Sequence, residues 1–414
     1  MEIEGFRCLV CEKKLSLNET EYICPYCGGN LDVVYKYKRI SRKIFEKNRD
    51  FSIFRYEELL PVKNNGRIPL KIGFTPIYKF NLLGLNNLYL KDDGRNPSAS
   101  FKDRASAIVL LKAMDKKVKV IIGASTGNAG SSMACLSASV GMPSIIFVPE
   151  TAPQGKVAQL LIFGSKVFAV KGTYDDAFDL CLEVSKRFKF MFNRNTGFNP
   201  WTREGKKTVS FEIVEQLNWR IPDYVFVPVG DGNIISGVWK GFKDMYYSKL
   251  IDKLPKIVAV QSNKSNSVYK TWMKYFYKKK IKKVDWRKIK IVKVKATTIA
   301  DSISVDLPRD GIAALRAIIE SNGFAIEVSD LDIKRSIRKI AVNTGIFSEP
   351  AGATGFAGVE KAYSLGLIKK NDIVVTIITG NGLKDIKCIF DICKSPLRVE
   401  KDIEKVEKLI KRVI

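Results

Sequence analysis

The chain has 414 residues, 46% of them apolar and 10% aromatic, enough to bury a core and to build about two to three domains. Its 70 Lys and Arg against 43 Asp and Glu give a formal charge of +27, which raises nucleic acid as a partner; the excess is read instead as a solvated lysine-rich surface on a protein with anionic ligands. There is no histidine, so the commonest general base and metal ligand is excluded, and with neither an apolar run near the ~20 residues of a spanning helix nor a secretion signal the chain is expected in the cytoplasm.

The first predicted element, over 1–35, is a cysteine module. Cys8-Leu9-Val10-Cys11 is followed after twelve residues by Cys24-Pro25-Tyr26-Cys27-Gly28-Gly29, the double Cys-x-x-Cys spacing of a tetrahedral four-thiolate zinc site. With Cys8, Cys11, Cys24 and Cys27 all as ligands no coordination position is left open, so the expected role of the metal is structural; a redox dithiol or disulfide pair is the rival. Cys135, Cys181, Cys388 and Cys393 lie in apolar patterns and are expected in the core.

Basic and mixed residues lead to Gly73-Phe74-Thr75-Pro76-Ile77-Tyr78, read as a turn into the main body. A strand over 88–91 then leads to Lys102, and a helix is expected over 103–114. Strands over 118–122, 144–148 and 167–170 alternate with helices over 127–140, 154–163 and 177–188. A second series has strands over 225–229, 257–261 and 373–379 and helices over 236–247 and 311–321, with another helix capped at Ser329 or Asp330. Such alternation predicts an α/β fold of two lobes, each an open parallel sheet, with a cleft between them. The lysine-rich stretch from Lys274 to Lys295 reads as a mobile hairpin or insertion. There is no internal repeat.

Chemistry concentrates at three places. Asn96-Pro97-Ser98-Ala99-Ser100-Phe101-Lys102-Asp103-Arg104 sets one lysine among small and apolar residues where a turn enters a helix, surroundings in which an amine can lose its proton and attack an aldehyde. Ala124-Ser125-Thr126-Gly127-Asn128 and Gly230-Asp231-Gly232-Asn233-Ile234 each join an apolar run to a helical pattern, so free backbone N–H groups can meet an anion. A nucleophilic lysine and two anion cradles together suggest pyridoxal phosphate. Lys102, Ser125, Gly230 and Thr379 all fall at predicted strand ends, the edge where open α/β sheets bind ligands.

Four separated segments carry a resemblance: Ser100 to Arg104, Ser125 to Asn128, the glycine loop followed by Trp239-Lys240-Gly241-Phe242, and Thr379-Gly380-Asn381-Gly382-Leu383-Lys384-Asp385. They resemble the threonine synthase family, within the tryptophan-synthase-β-like type II pyridoxal phosphate enzymes, over roughly residues 70 to 390 with a matching cysteine module in front. The resemblance implies a zinc-ribbon-like module at 1–35, a large cofactor domain at 36–115 and 205–393, a small domain at 116–204 and a C-terminal helix at 394–414. By the same resemblance Lys102 is the lysine joined to the cofactor, Asn128 bonds its ring hydroxyl, Thr379 its ring nitrogen, and Gly230, Asp231, Gly232, Asn233 and Ile234 its phosphate. Ser100, Ser125, Thr126 and Gly127 would meet the substrate, and Asn195, Thr196 and Arg203, beside Glu204-Gly205-Lys206-Lys207-Thr208, its phosphate. Asp231 stands where the family has a neutral amide and would repel a phosphate unless its side chain turns away; Asn381 stands where histidine is frequent. Glu349 could face the cofactor or cap a helix.

The activity so implied is conversion of O-phospho-L-homoserine and water to L-threonine and phosphate, by a homodimer acting on a small phosphorylated amino acid. Rival readings are a serine or threonine dehydratase, an O-phosphoserine-dependent cysteate or cysteine synthase, and a non-catalytic basic zinc-ribbon protein that binds nucleic acid.

Overall fold

A computed structural model describes residues 1–279, 283–393 and 395–413. Three sheets organise them. The cysteine module is a small antiparallel sheet in the order Lys14–Leu15, Glu2–Cys8, Leu31–Lys36. Its third strand alternates: Leu31, Val33 and Tyr35 are buried while the residues between them are less so, the period-two pattern of a sheet with one face on a body.

The second sheet is wholly parallel, in the order Lys166–Val170, Ser144–Pro149, Val120–Ala124, Met191–Asn193. The third and largest runs Phe324–Val328, Lys256–Ser262, Tyr224–Pro228, Val374–Ile378, Leu88–Asp92, Ile77–Phe80, parallel except for the last strand. Val374–Ile378 is buried at every position, as a strand covered by helices on both faces must be. The two-lobed α/β architecture is therefore that expected from the alternation of strands and helices.

Several elements differ from the sequence reading. The turn expected at Gly73 to Tyr78 runs straight into the strand Ile77–Phe80, an antiparallel edge on Leu88–Asp92. The strands Met191–Asn193 and Phe324–Val328 and the helices Trp201–Lys206, Thr208–Gln216, Ser267–Tyr275 and Pro350–Ser364 are additional. Of the supposed hairpin between Lys274 and Lys295, residues 280–282 lie outside the described residues; the described part forms no strand, and buried Trp286 packs on Phe276 with ring centroids 5.9 Å apart. Cys393 is exposed rather than in the core, whereas Cys135, Cys181 and Cys388 are buried. The C-terminal helix is Ile403–Val413, and residues 394 and 414 fall outside the described residues. Ser329 caps the helix Asp330–Thr344 in a reciprocal box with Asp332, an arrangement that contributes about 1 kcal/mol. Among the described residues no helix is long and apolar enough to cross a membrane.

Two buried charge networks lock the pieces together. Arg104, on the helix Lys102–Asp115, pairs with Asp93 at 2.6 Å and with Glu212, whose other oxygen meets Lys91 at 2.6 Å; all four side chains are fully buried. Lys207 and Lys240 share Asp244 and Glu204, and the phenol of Tyr35 from the cysteine module donates to Glu204. Gly205 serves this packing: a Cβ there would sit 1.9 Å from the carbonyl oxygen of Arg104, so only glycine lets the helix Trp201–Lys206 lie on the helix Lys102–Asp115.

Candidate active site

The carboxyl ends of the strands Val120–Ala124 and Tyr224–Pro228, one from each parallel sheet, open into a single cavity of about 320 Å³. Lys102 lies on its wall, together with residues 123–130, 194–196, 228–235 and 301–305. The position follows from topology, since parallel strands place all their carboxyl ends on one edge.

Lys102 is the first residue of its helix, and the turn before it is held from both sides. Ala99 takes a left-handed φ of 60°, unusual for a residue with a Cβ, at a cost of about 1 kcal/mol. The buried carboxylate of Asp103 accepts from the Ser98 amide at 2.7 Å and from the Ser98 hydroxyl. From the opposite segment the Thr379 carbonyl accepts from Phe101 N–H at 2.9 Å, and the Ala99 carbonyl from Asn381 N–H at 3.0 Å. The segments around residues 100 and 380 thus hold the lysine between them, although Ser100 and Thr379 are buried and do not line the cavity. Burial, and then the nearby guanidinium of Arg194, pull the Lys102 ammonium down to about 8, so near neutrality far more of it is neutral than of an ordinary lysine, although the protonated form still leads.

Two helix N-termini face the same space. The helix Asn128–Ser139 starts after Gly127, and the helix Asn233–Tyr247 after Gly232. Gly232 has φ +93° and a Cβ there would lie 2.7 Å from the Asp310 carbonyl, so the loop needs glycine twice over. The first-turn amides of each helix have no intrahelical partner. Asp231, the acid in this loop, accepts the Arg309 backbone N–H through Oδ1 at 3.2 Å, and burial raises its pKa.

The cations are distributed unevenly. Arg203 lies outside the cavity: it forms two 2.8 Å bonds to Asp310 and one of 3.1 Å to Asp32, so its charge is already matched. Arg194 is in the cavity wall and buried, and among the described residues its guanidinium bonds only hydroxyls, Ser106 at 3.2 Å and Thr196 at 2.8 Å. Among the described residues its Nη2 has no hydrogen-bond partner, and burial pulls its pKa down to about 10. Lys206 also lines the cavity, donates to Asn233 Oδ1 at 2.6 Å, and is driven well below the usual lysine range by burial and by Lys102 and Arg194. An amine, two amide cradles and a guanidinium with an unused donor form a receptacle for anions beside a nucleophile.

Residues 68–380 match the family model described as pyridoxal-phosphate dependent enzyme. The threonine synthase of Methanocaldococcus jannaschii is 37% identical over 98% of this chain and 99% of its own length, and that of Methanosarcina acetivorans 33% identical over 98% of each. The chain belongs to the threonine synthase family of pyridoxal phosphate-dependent enzymes. Among solved structures, the processed form of threonine deaminase isoform 2 from Solanum lycopersicum is similar with a TM-score of 0.66 and 22% identity, covering 87% of this chain and 90% of that one. Diaminopropionate ammonia lyase from Escherichia coli gives 0.65 and 18%, covering 83% and 93%; at such identities the likeness concerns the fold alone.

For a member of this family, the acid of the Glu349-Pro350-Ala351 run sits in a telling place. Glu349 precedes the helix Pro350–Ser364 but makes no capping bond; its carboxylate instead accepts from Asn128 Nδ2 at 3.0 and 2.9 Å, with Thr379 Oγ1 at 3.5 Å. Burial raises its pKa, which the Asn128 bonds oppose. Glu349 therefore links Thr379 to the cavity residue Asn128. Of the site residues named from sequence, Lys102, Ser125, Thr126, Gly127, Asn128, Asn195, Thr196 and Gly230 to Ile234 gather on the cavity, and Ser100, Thr379 and Arg203 stand behind it. Sequence reasoning did not single out Arg194, Tyr174 or the 301–305 segment. The one available signal for Arg194 was its place in the polar run Asn193-Arg194-Asn195-Thr196 after an apolar stretch.

Four cysteine sulfurs form a second constellation, away from the cavity. The Sγ atoms of Cys8, Cys11, Cys24 and Cys27 lie within 4.8 Å of one another, with the amides of Val10 and Cys11 each 3.4 Å from Cys8 Sγ. That spacing suits one tetrahedral ion bridged by four thiolates.

Proposed function

We propose that this chain is a threonine synthase, a carbon–oxygen lyase converting O-phospho-L-homoserine and water to L-threonine and phosphate. The observation that carries the reading is the buried guanidinium of Arg194, whose Nη2 is unpaired among the described residues, in the same cavity as the Lys102 amine. The glycine loop at Gly230–Ile234 suits the cofactor phosphate, so a further unmatched cation is what a second phosphate, on the substrate, requires. A dehydratase acting on free serine or threonine would have no use for it.

Pyridoxal phosphate fits the residues present and, when bound, supplies an electron sink that makes the Cα and Cβ protons of an amino acid labile. Lys102 Nζ, depressed to about 8, is suited to capture the aldehyde and, once released, to carry protons at Cα and Cβ. The amides of Ser125, Thr126 and Gly127 would hold the substrate carboxylate at the helix N-terminus. Asn128 would orient the ring through its hydroxyl, while Thr379, first sought at the ring nitrogen, stands behind the cavity and would act through Glu349, which holds Asn128. Arg194, with Asn195 and Thr196, would hold the substrate phosphate and stabilise charge developing on it as it leaves, the role first sought at Arg203. Zinc is assigned to Cys8, Cys11, Cys24 and Cys27 as a structural ion.

The test is phosphate release and amino-acid analysis with O-phosphohomoserine, O-phosphoserine and threonine offered separately to the holoenzyme. The reading expects phosphate and threonine from the first substrate. Turnover of O-phosphoserine alone, or faster deamination of threonine, would replace it with one of the rivals.

A further inference from the structure

The cysteine module reaches the segment that braces the Gly230–Ile234 loop through the side chain of Asn30. Asn30 follows the last cysteine of the cluster by three residues, and its backbone belongs to the knuckles: its carbonyl accepts from Leu9 N–H at 2.9 Å, while the neighbouring Gly29 carbonyl accepts from Cys24 N–H at 2.9 Å. Gly29 fits so closely there that a Cβ would lie 2.9 Å from Cys8 Sγ. The Asn30 side chain reaches away from the cluster and donates from Nδ2 to the Arg309 carbonyl and to Asp310 Oδ1, both at 2.7 Å.

Those two acceptors brace the glycine loop. The Arg309 amide donates to Asp231 Oδ1 at 3.2 Å, and the Asp310 amide to the Asp231 carbonyl at 2.9 Å. Asp310 Oδ2 accepts from Asn233 Nδ2 at 2.7 Å and from the Ser236 hydroxyl at 3.2 Å, and the Asp310 carbonyl packs on Gly232. Asp310 itself is buried and clamped by Arg203, which also bonds the Leu31 carbonyl of the module at 2.7 Å. A continuous set of short polar contacts therefore runs from the cysteine knuckles through Asn30 and Asp310 to Asp231 and Asn233. It also turns the Asp231 carboxylate onto a backbone N–H, which answers how an acid can stand in this loop.

We propose that Asn30 and Asp310 are positioning residues for the cofactor-phosphate loop, and that an ordered four-cysteine module sets the loop's affinity for phosphate. The proposal rests on the reading of Gly230–Ile234 as the cofactor-phosphate site. When the cluster is intact, Asn30 holds the 309–310 backbone and carboxylate in register, and the amides of the loop stay preorganised for an anion. When the knuckles loosen, the 309–310 backbone loses its Asn30 tie, the Arg309 amide no longer holds the Asp231 carboxylate in place, and that acid repels the anion.

The experiment compares binding of pyridoxal phosphate and of pyridoxal to full-length apoprotein by absorbance and quenching of intrinsic fluorescence, in wild type, Asn30→Ala and Asn30→Asp, and in wild type stripped of metal with a chelator under reducing conditions. The ratio of the two affinities reports the phosphate loop, whereas general loosening of the fold would weaken both ligands alike. We expect Asn30→Ala to weaken pyridoxal phosphate about five- to tenfold with pyridoxal unchanged, the effect of one or two lost hydrogen bonds. Asn30→Asp, which sets a carboxylate against Asp310, should weaken it further. Metal stripping should shift the ratio the same way, added zinc should restore it, and stripping should add little to Asn30→Ala because both act through one route. An unchanged ratio in either the variants or the stripped protein, with thermal unfolding showing them folded, overturns the proposal. A wild-type protein that binds neither ligand overturns the proposed function itself, and this inference with it.

Discussion

Two groups of buried charges in this molecule look alike in composition and behave differently. Around Arg104 two cations and two carboxylates, Lys91 and Arg104 with Asp93 and Glu212, are fully buried and matched charge for charge. Around Lys102, two residues before Arg104 on the same helix, Arg194 is buried with one nitrogen unpaired among the described residues, and among them Lys206 is bonded only to an amide. Burial lowers the proton affinity of all these cations; at Arg104 the carboxylates of Asp93 and Glu212 outweigh it and the net shift is upward, whereas at Lys102, Arg194 and Lys206 desolvation leads and the net shift is downward. Matched buried charge builds structure; unmatched buried charge waits for a ligand.

The contrast can be broken residue by residue. The largest functional effect is expected from Lys102→Ala, which removes the nucleophile: absorbance of the bound cofactor in the visible range should vanish and turnover should fall by at least about 10³-fold. Arg104→Met is expected to be the largest structural lesion, about 3–5 kcal/mol by denaturant unfolding, because Asp93 and Glu212 would be left buried without their partner. Arg194→Met should do the reverse. Stability should stay level or rise, since no carboxylate loses its mate, while kcat/KM for a phosphorylated substrate should fall about 10- to 100-fold. If Arg194→Met unfolds the protein and Arg104→Met does not, the distinction between the two groups is wrong.

A pH series sharpens the same contrast with a smaller effect. The neutral amine is the attacking form, so capture of the cofactor by apoprotein should accelerate tenfold per pH unit below about 8 and level off above it. Because the folded-state value lies below the usual 10.5, the unfolded chain binds the extra proton between these limits, and the stability contributed by Lys102 rises with pH through that window in apoprotein. A rate that climbs without levelling to pH 10 would mean the amine is not desolvated.

What could be read in advance follows from what is local. Strand and helix alternation gave the two lobes, the Ser329 cap was legible from its own neighbours, and Lys102, Ser125 and Gly230 could be placed together because parallel strands share an edge. Arg203 and Arg194 could not be told apart, because the difference lies in Asp310, 107 positions from one of them and absent from the surroundings of the other. Nor could the sequence decide between two roles for Glu349, whose carboxylate finds Asn128 across 221 positions. The edge strand Ile77–Phe80 was hidden for a similar reason, since its pairing with Leu88–Asp92 and not its own composition makes it a strand.

On the proposed function one amine, at the start of the helix Lys102–Asp115, takes the cofactor covalently. Borohydride reduction of the coloured holoenzyme followed by peptide mapping tests it most directly. One modified peptide, carrying the label on Lys102, is the result expected. Label on Lys206, the other desolvated lysine of the cavity, or on no lysine at all, would contradict it.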